Sequence, residues 1–178
     1  MPEWHRGTLF ACNNKLIGAR TFIKGFQAAT KKKLDATNYS PRDQLGHGTH
    51  TSSTAVGNYV EGASQFGFAS GAAKEVAPRA YVAMYKLSPD GFVAENDVLT
   101  AMDQAIVHNV DIMSLSIAFR QKPYFQDVIA TASLSAMEKG IVVACAVGNE
   151  GHPNTTHNAA PWITTVGAST IDRALLQQ

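Results

Sequence analysis

Val110-Asp111-Ile112-Met113-Ser114-Leu115-Ser116-Ile117, a helical stretch from Tyr124 to Lys139, and then Ile141-Val142-Val143-Ala144-Cys145-Ala146-Val147 decide the fold of this chain. The two outer runs are apolar and rich in β-branched residues, as strands buried on both faces are. Between them Ile129, Ala132, Ser133, Ala136 and Met137 recur at helical spacing, and Gly140 marks the end of the helix. A strand, a helix and a strand of these lengths form a right-handed crossover between parallel strands.

The same alternation continues outward. Upstream, Ala80-Tyr81-Val82-Ala83-Met84-Tyr85 reads as a buried strand, and Ser88-Pro89-Asp90-Gly91 carries turn chemistry. Asn96 is placed to cap a helix whose inner face is Val98, Ala101, Met102, Ala105 and Ile106. Downstream, Trp162 to Val166 reads as a fourth strand. The first part, to about residue 70, is rich in Gly, Thr, Asn and Ser and reads as loops, apart from a strand near Leu16 to Ile23. The expected fold is α/β, a doubly wound and mainly parallel sheet, with chemistry beyond the carboxyl ends of its strands. The segments after Ser116 and after Val147 are therefore the places to look.

Composition narrows the function. With 178 residues, 45% of them hydrophobic and 16% charged, the chain fits one globular domain. Fifteen Lys and Arg against 14 Asp and Glu leave a net charge of +1, with no basic field to drive nucleic-acid binding. Lys31 to Lys33 reads as a solvated loop. No stretch is apolar for long enough to span a bilayer, and the N-terminus, with Glu3, Trp4, His5 and Arg6, lacks the apolar core of an export signal. Two cysteines, Cys12 and Cys145, make neither a disulfide framework nor a zinc set, and Cys145, in an apolar run, reads as a small buried hydrophobe.

Two motifs carry chemistry. The first is Gly46-His47-Gly48-Thr49-His50-Thr51-Ser52-Ser53-Thr54-Ala55, a loop entering a helix of small residues. His47, between glycines that let another chain approach, is placed to act as a general base; the bland alternative has it merely cap the helix. His50, one turn on, is expected to point inward and hydrogen-bond the core. His152 or His157 would have to complete a zinc site, but no glutamate separates His47 and His50 as in the metalloprotease helix, so no metal or other cofactor is expected. The second motif is Val147-Gly148-Asn149-Glu150-Gly151, a turn at a strand end. By turn chemistry alone it is a loop, yet an amide fixed there can stabilise an oxyanion.

Further segments accompany them. Asn14-Lys15-Leu16-Ile17-Gly18-Ala19-Arg20, Ser40-Pro41-Arg42-Asp43 ahead of the histidine box, and Ala160-Pro161-Trp162 leading to Thr170-Ile171-Asp172-Arg173 complete a pattern that closely resembles the plant subtilisin-like serine proteases (subtilases, peptidase S8) over nearly the whole chain. The resemblance implies that His47 is the catalytic histidine and Asn149 the oxyanion-hole asparagine. It also implies that Ser116-Ile117-Ala118 lines the primary specificity pocket and pairs with a bound polypeptide substrate, and that the family's secreted location applies. Residues 1–178 would then be part of a catalytic domain, between the triad aspartate and a protease-associated insert.

In the family pattern the triad aspartate precedes the position of Trp4, and the nucleophile lies in a Gly-Thr-Ser-Met segment beyond Arg173; no such segment occurs in this sequence. Asp43 lies near His47 but not at the triad position. The chain is therefore expected to be inactive alone, either a fragment of a serine endopeptidase or a non-catalytic subtilase-like module that serves in interaction. An unrelated ligand-binding α/β domain would need a glycine-rich phosphate loop that is missing. Ala118 stands where the family has Gly and Val147 where it has Ala, and Cys12 lacks a neighbouring cysteine usual in the family. Two sequons, Asn38-Tyr39-Ser40 and Asn154-Thr155-Thr156, discriminate little.

Overall fold

The computed structural model of the chain describes residues 14–170. The readings placed on Glu3 to Arg6, on Cys12 and on Ile171 to Arg173 lie outside those residues. The chain runs through β1 (Leu16–Thr21), α1 (Lys24–Thr30), the single turn α2 (Ala36–Tyr39) and α3 (His47–Val56). A hairpin follows, β2 (Val60–Gln65) and β3 (Phe68–Ala73), and then β4 (Val82–Lys86) and α4 (Glu95–Val107). The last elements are β5 (Ile112–Leu115), α5 (Val128–Glu138), β6 (Val142–Ala146) and β7 (Thr164–Val166).

The expected crossover is present. β5 pairs in parallel with β6 and β6 with β7, while β1 pairs in parallel with β4, so every strand pair outside the hairpin is parallel. The fold is α/β and mainly parallel; among the described residues its parallel strands form two hydrogen-bonded groups, β1–β4 and β5–β6–β7, in place of one continuous ladder, and the β2–β3 hairpin is a third group. Residue alternation sets what each face covers. Met113, Val143 and Cys145 point to one side and pack with Val98, Met102 and Ala105 of α4 and Ile129, Ala132 and Ala136 of α5. On the other side of these strands Ile112 is 64% exposed and Val142 52% exposed, so this face is uncovered among the described residues. Around β4 helices lie on both faces: Tyr85 stacks on Phe22 and bonds His108, which follows α4, while Met84 comes close to Gly48 of α3.

Several boundaries differ from expectation for identifiable reasons. Asn96 does not cap α4: the helix begins at Glu95 with Ala94 as its cap. The carboxylate one position on, Asp97, is buried and turned to α1, accepting the N–H groups of Gly25 at 2.8 Å and Phe26 at 2.7 Å, donors that the first turn of a helix leaves unpaired. A Cβ at Gly25 would lie 3.0 Å from Ala94 and 3.1 Å from Asp97, a tight contact that glycine avoids at this crossing. The helix expected from Tyr124 is a short 3-10 turn, Tyr124–Gln126, and then α5, because Asp127 stays extended and caps α5 through Ile129 and Ala130. Met137, expected inward, is 46% exposed, whereas Ile129, Ala132, Ser133 and Ala136 are buried. Residues 14–70 hold more regular structure than loops: β2 and β3 turn back through Phe66 and Gly67, both at positive φ (51° and 86°), the geometry that matches strand twist in a two-residue hairpin.

Candidate active site

His47 is the first residue of α3 and is exposed; Gly46, at φ +90°, is the cap, so the histidine does not cap the helix itself. Ser, Thr and Gly make up most of α3, a poor helical composition. Its hydroxyls bond back onto the helix, Thr51 to Gly48, Ser52 to Thr49, and Ser53 and Thr54 to His50. The face turned to the protein is Gly48, Thr51, Ser52 and Ala55, at helical spacing. His50 lies off that stripe and is exposed, which corrects the expectation of a core hydrogen bond: its ring has no hydrogen-bond partner among the described residues.

Asp43 fixes the entry to α3. One carboxylate oxygen accepts the N–H groups of Leu45 at 2.9 Å and Gly46 at 2.8 Å, and the other accepts the Thr49 N–H at 2.8 Å and hydroxyl at 2.7 Å. Burial alone would raise its pKa; the bonds from Thr49, Gly46 and Leu45 outweigh burial and hold the carboxyl far below the usual range. Both oxygens are thus engaged by the loop and helix. Lys86, at the end of β4, gathers the approach from beneath, donating to the carbonyls of Ser40 at 2.8 Å and Arg42 at 2.9 Å and to the Gln44 side chain. Burial lowers the Lys86 pKa, and the Asp43 charge opposes that.

The second half of the site grows from β5 and β6. Their register pairs Leu115 with Cys145, so Ser116-Ile117-Ala118 and the turn bearing Asn149 leave the sheet side by side. The β5 ladder ends at Leu115, and Ser116 to Ala118 continue beyond it as the strand's exit; Ser116 and Ala118 are exposed, and Ala118 does not take positive φ. Asn149 is exposed, and its carboxamide has no partner among the described residues, while its backbone N–H donates to Glu150 at 3.1 Å. Gly148 sits at φ +104°, and a Cβ there would come within 2.5 Å of the His157 ring.

Sequence reasoning missed what holds these exits together. Asn158, 7% exposed and at φ 54°, donates its amide to the carbonyls of Ile117 at 2.9 Å and Ala146 at 2.8 Å. His157 sits beside it, with Nδ1 2.8 Å from the Phe119 carbonyl oxygen and Nε2 3.0 Å from Glu150 Oε1. An open cleft of about 390 Å³, lined by Arg120, Gln121, Glu150, Asn154, Thr155 and His157, adjoins the turn. The Glu150 carboxyl is held below the usual glutamate range, first by its own backbone N–H and then by His157. A side-chain amide next to a histidine was the one available signal for the Asn158 bridge, and it is too common to stand out. Cys145 is buried, as read from sequence, and burial beside the Asp127 charge pushes its thiol up to about 12. No hydrogen bond joins His47 to Asn149 among the described residues.

The parallel α/β frame presents a histidine at a helix start and, at a strand exit, an amide with no partner among the described residues. The chain belongs to the subtilase family, whose sequence model matches residues 15–175. It is 49% identical over 169 residues to "Subtilisin-like protease SBT1.7" of Arabidopsis thaliana, covering 93% of this chain and 22% of that protein. It is 51% identical over 170 residues to "Subtilisin-like protease SBT1.6" of the same plant, covering 91% and 22%. To "Subtilisin-like serine-protease S" of Lotus japonicus it is 45% identical, covering 93% and 23%. The chain thus spans about a fifth of the length of the curated relatives it matches. Among solved structures, the epidermin leader peptide processing serine protease EpiP of Staphylococcus aureus shares the fold at a TM-score of 0.54 and 20% identity, over 74% of this chain and 35% of that one. Among the described residues no helix is long and apolar enough to cross a membrane.

Proposed function

We propose that this chain is the histidine- and asparagine-bearing segment of a subtilisin-like serine endopeptidase, acting on polypeptide substrates and secreted as its relatives' family is. The observation that carries this is the side-by-side exit of Ser116-Ile117-Ala118 and Asn149 from paired strands. An extended peptide laid along Ser116 to Ala118 would add a strand through main-chain hydrogen bonds, bringing its carbonyl towards the free carboxamide of Asn149. His47 would take the proton from an attacking serine hydroxyl and return it to the leaving amine, while Asn149 donates to the oxygen that gains charge. The aspartate that orients His47 and the serine belong, in the family pattern, to segments upstream of Trp4 and downstream of Arg173 respectively.

The test is a chimera in which residues 14–170 replace the matching stretch of the complete SBT1.7. Asn149→Ala should lower kcat by roughly 10²–10³, the size measured for this donor in a subtilisin, itself a member of the family, with KM little changed. His47→Ala should cost more. A kcat left unchanged by either substitution refutes the reading. A folded chimera that binds peptide without turning it over favours the non-catalytic module. The 178-residue chain alone is expected neither to hydrolyse peptides nor to label with fluorophosphonates, since no serine stands at the nucleophile's place; a labelled serine lost on His47→Ala would overturn this.

A further inference from the structure

We propose that His157 is a positioning residue of the oxyanion turn, holding Asn149 in place through Glu150 by a bridge that is complete only while its ring carries both protons. The catalytic part of this inference rests on the function proposed for Asn149; the bridge itself does not. Both partners of the ring accept: the Phe119 carbonyl oxygen lies 2.8 Å from Nδ1 and the Glu150 carboxylate 3.0 Å from Nε2. An imidazole with one proton can donate to one of them and must face the other lone pair to lone pair. The doubly protonated ring satisfies both and faces a carboxylate as a cation.

The bridge ends on the site. The second oxygen of Glu150 accepts the N–H of Asn149 at 3.1 Å, so one carboxylate ties the turn to the ring and the ring ties it to the exit of β5. The contact is close: the ring reaches Gly148 so nearly that a methyl there would overlap it, and the His157 side chain is only 13% exposed. The His157 backbone N–H also donates to the Val147 carbonyl at 2.8 Å, fixing the ring's own anchor to the strand that carries the turn. The other titratable groups that line the clefts His157 shares are Arg120 and Lys122 on the segment after β5, Tyr124, and Asp127 at the start of α5. Loss of the second proton would break one of the ring's two ties, so that the turn and the β5 exit are no longer both held by it and Asn149 loses part of its support.

The test reads the turn and the catalysis separately. In the 178-residue chain, the backbone amide signals of Gly148 and Asn149 should shift with pH at the midpoint of the His157 ring itself, and that shift should vanish in His157→Gln and shrink several-fold in Glu150→Gln, an exposed position that leaves the fold intact. Amides that ignore the ring's titration, or respond equally in His157→Gln, overturn the proposal. In the SBT1.7 chimera, His157→Gln should lower kcat roughly tenfold with KM unchanged and remove one limb of its pH profile. An unchanged kcat and profile overturn the positioning role even if the amides follow the ring. Failure of the underlying reading looks different: there Asn149→Ala leaves kcat unaltered while the amide titration persists.

Discussion

Asp43 takes both the backbone N–H and the hydroxyl of Thr49, at 2.8 and 2.7 Å, and so binds the loop before His47 to the first turn of the helix His47 begins. The carboxylate does for α3 what a capping side chain does, from three residues outside the cap.

Asp43→Asn should therefore destabilise the chain by about 1 kcal/mol at neutral pH, the usual size of a lost helix cap. The folded pKa is depressed, so the charge contributes fully above the unfolded value and its contribution is lost as pH falls towards the folded one. The stability gap between wild type and Asp43→Asn should be constant above about pH 5 and close progressively below about pH 4. Urea melts across that range would show it; a gap that widens in acid contradicts the assignment.

Gly148→Ala should cost roughly 1–3 kcal/mol, because positive φ and the His157 ring both exclude a methyl. The loss should appear in the denaturant midpoint and, by nuclear magnetic resonance, as displaced His157 and Glu150 signals. Wild-type stability in the variant would mean the ring moves aside at no cost.

Cys145 should resist alkylation in the folded chain, since burial and Asp127 keep the thiol protonated up to about 12. In a Cys12→Ser background, iodoacetamide labelling at pH 8 should be negligible until urea unfolds the protein. Rapid labelling of the native state would place the thiol outside the core.

Ala118 is exposed at the β5 exit and does not take positive φ, so its methyl adds bulk beside the proposed path of the peptide strand. In the chimera, Ala118→Gly should raise kcat/KM several-fold by widening the approach. An unchanged or lower value would show that the methyl does not meet the substrate.

What could be read without coordinates was local. The switch from strand to helix to strand between Val110 and Val147 is carried by neighbouring side chains, and the parallel pairing follows from crossover length. Val98, Ala101, Met102 and Ala105 are buried as their spacing demands. His47 and Asn149 were legible as residue types in short motifs. Their supports were not. Lys86 serves carbonyls 44 to 46 residues away, and Asn158 joins Ile117 across 41 residues, contacts that leave no periodic trace. The misplaced start of α4 has the same origin: a carboxylate beside the expected cap is claimed by α1, and tertiary demand overrides local preference.

Asn158 closes the two strand exits from below, taking Ile117 and Ala146 with one amide, while the Thr165 hydroxyl donates to the Asn158 carbonyl at 2.6 Å. Everything between Glu150 and His157 hangs outside that clasp. The loop is in effect an exchangeable cassette: its tip, with Asn154 and Thr155 on the cleft wall, can change in length or side chain without disturbing the register beneath. A change at the tip, over a lineage or in a laboratory library, would leave the Asn158 clasp beneath the Asn149 turn as it is.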